Sequence, residues 1–187
     1  MFNIKNTFRK LKRISKFNML TILLAVITTV YTFPTISGVV IKSTTEKQVS
    51  SDFNKQIECL AKNIYHEAGH EPYEGKLAVA QVTMNRVNSG KFPSDVCSVV
   101  YQKTTNKHLE TVCQFSWTCM VKELVVRDKY AYEESMNIAR KALTQPVLHD
   151  TIANTNALFY HAVYVNPGWN KGKVVKRIGN HIFYTSI

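Results

Sequence analysis

The sequence predicts an α+β fold, mostly helical, with a small β-hairpin at its C-terminal end and one transmembrane or signal helix ahead of it. Three observations lead there. Apolar residues recur at three- and four-residue spacing through 52–69, 72–90 and 128–143, which is the helical period. Residues 157–165 and 177–185 turn aromatic and β-branched, with Asn166-Pro167-Gly168 between them, and read as two strands joined by a loop. Residues 19–41 carry no charge over 23 positions and follow a basic run.

The chain has 187 residues, enough for one ordinary domain and a modest appendage. At 45% hydrophobic and 20% charged it is globular in composition, and 7 Gly with 5 Pro exclude collagen-like and low-complexity chains. There are 24 Lys and Arg against 13 Asp and Glu, a net charge of +11. Six of those bases (Lys5, Arg9, Lys10, Lys12, Arg13, Lys16) fall in residues 1–18 without any acid, which leaves +5 for the remainder. Nucleic-acid binding wants its charge on the folded domain, so no nucleic-acid partner is expected.

Taken in order, 1–18 is a basic cytoplasmic region and 19–41 a signal anchor or signal peptide. The positive end stays inside, and everything beyond Lys42 is exported. Residues 42–51 are polar and read as a linker, and 52–187 form the domain. Its first helix, 52–69, turns Phe53, Ile57, Leu60, Ala61, Ile64 and Ala68 inward and stops at Gly69. Pro72 opens the second, with Glu71 and Glu74 placed to suit the helix dipole, Leu77, Ala80, Met84 and Val87 inward, and Gly90 at its end. Ser94 or Asp95 caps a short helix reaching Tyr101. Residues 102–126 have weak periodicity and read as loop. Asp128 begins a helix to about Leu143, with Ala131, Ile138, Ala139 and Ala142 inward.

Cys59, Cys97, Cys113 and Cys119 all follow the export segment. An even count in an exported domain favours two disulfides over zinc, and three pairings are open.

Residues 66–70 spell His66-Glu67-Ala68-Gly69-His70, the literal H-E-x-x-H of zinc peptidases. That chemistry needs the helix to run through the second His and needs a third ligand. Gly69 and Pro72 oppose the first condition, and His108, His149, His161 and His181 are the candidates for the second. Glu67 has another reading. It follows Leu60 and Ile64 at i+7 and i+3 on the apolar stripe, where burial raises a carboxyl's pKa and makes it a general acid near neutrality.

The segment from Cys59 to Val87, containing Tyr65-His-Glu-Ala-Gly-His-Glu-Pro72 and Val82-Thr-Met-Asn-Arg-Val87, resembles the SleB-type cell-wall hydrolases. The resemblance continues through Phe92-Pro-Ser-Asp-Val-Cys97, Cys113-Gln-Phe-Ser-Trp-Thr-Cys119, Phe159-Tyr-His-Ala162, Val165-Asn-Pro-Gly-Trp169 and Ile178-Gly-Asn-His-Ile-Phe-Tyr184. It covers roughly residues 57–185. It implies a lysozyme-like fold and places the family's catalytic acid on Glu67. His66, Gly69 and His70 depart from the usual block, in which Arg and Gly commonly stand at the last two positions.

The resemblance further implies cleavage of the β-1,4 bond between N-acetylmuramic acid and N-acetylglucosamine by a lytic transglycosylase with one acid/base, Glu67. No cofactor and no metal are expected. Gln114, Ser116, Tyr160, His161, Asn166, Trp169 and His181 are the expected substrate-binding residues. The expected partner is peptidoglycan. The enzyme is expected as a monomer, held at the inner membrane through 19–41 or secreted, with its domain in the periplasm or cell-wall space. An N-acetylmuramoyl-L-alanine amidase and a zinc peptidase using His66, Glu67 and His70 are the rival readings.

Overall fold

The computed structural model describes residues 37–120, 125–145, 152, 155–167 and 172–185, the first seven as backbone alone. The chain divides into a unit Met1–Gln48 and a unit Val49–Ile187, and the site lies in the second. The expected basic region 1–18 and most of the apolar run 19–41 lie outside the described residues. Among the described residues no helix is long and apolar enough to cross a membrane.

Helix α1 runs Ser37–Ala68. The stretch 42–51, expected as a linker, is therefore helical. Neither Gly nor Pro occurs between Gly38 and Gly69, so nothing in the chain interrupts the backbone ladder. Ile57, Leu60, Ala61, Ile64 and Ala68 form the buried stripe, while Phe53, expected on it, is exposed. The helix stops where expected. A Cβ on Gly69 would lie 2.5 Å from the Tyr65 carbonyl oxygen, so a side chain there requires the backbone to move.

Helix α2 (Tyr73–Asn88) starts after Pro72 and ends at Ser89 and Gly90, the latter at φ +68. It is buried on nearly every side. Leu77 and Ala80 join the main core with the α1 stripe, and Ala78 and Val82 join a second cluster with Ile152, Ala157, Ile178 and Phe183. Helix α3 (Val96–Val100) is capped by Asp95, whose side chain accepts from the Ser98 N–H. Helix α5 (Lys129–Thr144) is capped in the same way by Asp128, which accepts from the Ala131 N–H. Ala131, Ile138, Ala139 and Ala142 point inward as expected. A Lys76–Glu134 ion pair joins α2 to α5.

The sheets are richer than expected. Residues 102–126, read as loop, contain an antiparallel pair, β1 (Lys103–Thr105) and β2 (Thr111–Cys113), followed by the single turn α4 (Trp117–Met120). The strands are three residues long and exposed except at Cys113, too short and too polar to show a period of two. The C-terminal part is a three-stranded antiparallel sheet in the order β3 (Ala157–Ala162), β5 (His181–Thr185), β4 (Val174–Ile178). The second expected strand is thus a hairpin, turning at Gly179-Asn180 with Ile178 paired to His181.

The cysteines pair as Cys59–Cys97, joining α1 to α3, and Cys113–Cys119, joining the end of β2 to α4. In the interior, Trp117 Nε1 donates to Asn63 Oδ1 at 3.0 Å and Asn63 Nδ2 to Thr83 Oγ1 at 3.3 Å. This buried polar chain ties α4, α1 and α2 together, and it satisfies groups that would be costly to bury alone.

Candidate active site

A cleft of about 390 Å³ opens where the C-terminal turn of α1 meets the start of α5 and the β4–β5 turn. Glu67, Glu71 and Asp128 are its carboxylates, and His66, His70 and His181 its imidazoles.

The last turn of α1 delivers Glu67 on the edge of the apolar stripe. Its Oε2 accepts a 3.0 Å hydrogen bond from the Tyr160 hydroxyl on β3. Burial raises the Glu67 pKa, while the Tyr160 hydrogen bond and the Arg86 charge oppose that rise. Burial also drives the Tyr160 hydroxyl well above the usual phenol range, so it remains a donor.

The other two carboxylates are engaged by the fold. Glu71 Oε2 accepts from the Asn180 N–H at 2.9 Å and Oε1 from Asn180 Nδ2 at 3.0 Å. Asp128 is the α5 cap.

The H-E-x-x-H triplet does not keep the geometry its spacing suggests. Helix α1 ends at Ala68, so His70 lies beyond it and is exposed. His66 stacks on Trp117 at 4.5 Å and 17°, with Nε2 enclosed and unpartnered, and burial lowers its pKa. His161 is engaged by Tyr184 Oη at 2.7 Å and the Ala162 carbonyl at 2.8 Å, and His149 lies outside the described residues. Among the described residues, no three His, Cys, Asp or Glu side chains gather as a metal site requires.

Of the expected substrate-binding residues, His181 lines the cleft and Tyr160 touches Glu67. Gln114, Ser116, His161 and Asn166 are not part of the cleft wall. Trp169 lies outside the described residues. His181 is buried edge-on to Tyr160 at 5.2 Å; burial lowers its pKa, Glu71 opposes the shift and His161 adds to it. Sequence reasoning placed Tyr160 among the substrate-binding residues and missed its hydroxyl's bond to Glu67. It also missed Arg86, although Ala78, Val82 and Arg86 stand four apart on a buried face of α2, where a charge signals a special role.

The Cell Wall Hydrolase family model matches residues 70–184, more than half of the chain. The chain belongs to the cell wall hydrolase family. The family match begins three residues after Glu67. The spore cortex-lytic enzyme of Bacillus subtilis is 30% identical over 131 residues, 70% of this chain and 37% of that protein. That of Oceanobacillus iheyensis is 32% identical over 129 residues, 68% of this chain and 40% of that protein. The chain thus spans about two fifths of the length of these curated relatives. Among solved structures, the catalytic domain of the germination-specific lytic transglycosylase SleB from Bacillus anthracis is 26% identical. It aligns with a TM-score of 0.50 over 70% of this chain and 93% of that one. This SleB-type cell wall hydrolase therefore shares the mostly helical fold with small sheets of a SleB catalytic domain.

Proposed function

We propose that this cell wall hydrolase is an exported peptidoglycan-cleaving lytic transglycosylase in which Glu67 is the single acid/base. One observation carries the reading. Of the three carboxylates in the cleft, Glu71 and Asp128 are held by backbone N–H groups of the fold, while Glu67 sits buried against the Tyr160 hydroxyl, and that burial raises its pKa. An ordinary glycosidase needs two working carboxylates, and one suffices when the sugar supplies the nucleophile.

Glu67 gives its proton to the glycosidic oxygen between N-acetylmuramic acid and N-acetylglucosamine, and the C1–O bond breaks. The 6-hydroxyl of the muramic acid attacks C1 and returns its proton to Glu67. No water is consumed, and the products are a 1,6-anhydro-muramic end and a free 4-hydroxyl. The lytic transglycosylase named among the similar structures supports this reaction type, and the sequence resemblance carries the lysozyme-like fold for residues 52–187. The basic run 1–18 followed by the uncharged run 19–41 supports export, with the domain facing the wall and 42–51 leading into it; the domain is proposed to act as a monomer.

The test is mass spectrometry of soluble products from purified peptidoglycan treated with the full chain and with Glu67→Gln. Anhydro-muramic ends from the native chain and none from the variant are expected. Reducing ends, or undiminished digestion by Glu67→Gln, overturn the reading.

A further inference from the structure

Strand β3 breaks register with β5 between Ala157 and Phe159. Such an irregularity interrupts the ladder and re-aims the side chains that follow it. The carbonyls at this point are taken up by two consecutive residues near the end of α2. Asn85 Nδ2 donates to the Ala157 carbonyl at 3.0 Å, and Arg86 Nε donates to the Leu158 carbonyl at 2.8 Å. Tyr160, two residues further along β3, is the residue that reaches Glu67.

Arg86 is an unusual donor for this task. It is 4% exposed. Its guanidinium lies 5.1 Å from the ring centroids of Phe92 and Phe115 and 5.9 Å from that of Phe159. Nη1 is buried without a partner, and among the described residues Arg86 forms no ion pair. A cation so enclosed is costly, and aromatic faces return only part of that cost. A neutral donor would satisfy the Leu158 carbonyl at less expense, so holding one strand is not sufficient reason for the charge.

We infer that Asn85 and Arg86 are positioning residues, clamping the β3 irregularity so that the Tyr160 hydroxyl meets Glu67 and adding a buried positive charge behind that pair. This rests on the reading of Glu67 as the acid. The titratable and charged groups around Glu67 are Arg86 on α2 and Tyr160 on β3, and, on the cleft wall, Tyr65 and His66 in the last turn of α1, His70 and Glu71 just beyond it, Asp128 before α5, Tyr164 after β3 and His181 on β5. Arg86 and Tyr160 both favour ionised Glu67. Loosening the clamp weakens the Tyr160 bond and leaves Glu67 protonated to higher pH.

The experiment measures peptidoglycan digestion against pH for the full chain carrying Arg86→Lys, Asn85→Ala, Tyr160→Phe and each clamp variant combined with Tyr160→Phe. A positioning role predicts a kcat about tenfold lower with KM within about twofold. It also predicts that the alkaline limb of kcat/KM moves to higher pH and that little further loss occurs on the Tyr160→Phe background. Native kcat and an unmoved limb in folded clamp variants overturn the inference, as do fully additive losses. If Arg86→Lys does not fold, Asn85→Ala, which leaves the cation in place, is judged by the same outcomes. Glu67→Gln is measured alongside. If it digests peptidoglycan normally, the proposed function itself falls. If it is inactive while both clamp variants match the native chain, only the positioning role falls.

Discussion

Glu71 holds Asn180 by two atoms across 109 residues of sequence, accepting from both its backbone N–H and its side-chain amide. The carboxylate stands at the corner between α1 and α2, and Asn180 is in the β4–β5 turn. The pair therefore fastens the turn that carries His181 to the helix end that carries Glu67. Two charge-assisted hydrogen bonds with this geometry are strong for neutral donors, and removing the acceptor leaves the Asn180 N–H without its partner.

Gly179 makes that clasp possible. Its φ is +54, and a Cβ there would lie 2.0 Å from Glu71 Oε2. Gly179→Ala therefore meets both backbone strain and a direct collision with the carboxylate. We expect a loss of about 1–3 kcal/mol, read as a lower urea midpoint, together with reduced wall digestion. Glu71→Ala should show a smaller stability loss. Native stability in Gly179→Ala would contradict the close approach of the turn to Glu71.

The sign of the Glu67 effect on stability follows from its raised pKa. A carboxyl whose folded pKa lies above its unfolded value binds its proton more tightly when folded. Its contribution is favourable below the unfolded pKa and is lost as pH rises through the folded one. Above its folded pKa the buried Glu67 carboxylate is thus a cost to the fold. Glu67→Gln should unfold at a higher temperature than the native chain at pH 7, with the difference shrinking towards pH 4. Calorimetry across that range checks it; a difference that grows on acidification has the wrong sign.

The helical framework was legible because it is written in side-chain period and capping residues. The Ile57–Ala68 stripe, the Pro72 start, the Asp95 and Asp128 caps and the inward alanines of α5 all appear where the sequence puts them. The β1–β2 pair was not legible, because its strands are three residues each and exposed except at Cys113. The hairpin over 174–185 was missed although Gly179-Asn180 is a turn pair, because the aromatic run from 177 to 185 masked it. At the site, burial of Glu67 followed from its place on the stripe. The Tyr160–Glu67 bond, the Asn180 clasp and the Arg86–Leu158 bond join residues 93, 109 and 72 positions apart, and no local pattern encodes them.

The zinc reading makes a contrary prediction that is easily separated. A metallopeptidase requires both histidines of the H-E-x-x-H on one helix, and here α1 ends at Ala68 with His70 exposed beyond it. We expect a chelator to leave peptidoglycan digestion unchanged and His70→Ala to reduce it less than about threefold, well short of the roughly 10²–10⁴-fold carried by a general acid. Loss of activity in a chelator, restored by zinc, would return His66 and His70 to the reaction.

Cys59–Cys97 closes a 38-residue separation and joins α1, which carries Glu67, to α3. Constraint of the unfolded chain over a loop of that size is worth about 4 kcal/mol in the chain-entropy view, against roughly 3 kcal/mol or less for the short Cys113–Cys119 loop. Cys59 is buried in the main core, so its replacement also disturbs packing. Cys97 is only partly buried at the edge of that core, which makes Cys97→Ser the cleaner probe, and breaking its bond leaves Cys59 as a small apolar thiol in place. We expect Cys97→Ser to lower stability by about 2–4 kcal/mol and to make the protein protease-sensitive at 37 °C, with Cys113→Ser costing less. Equal losses from the two would mean that packing around each cysteine, rather than the length of chain it closes, governs what the bridges contribute.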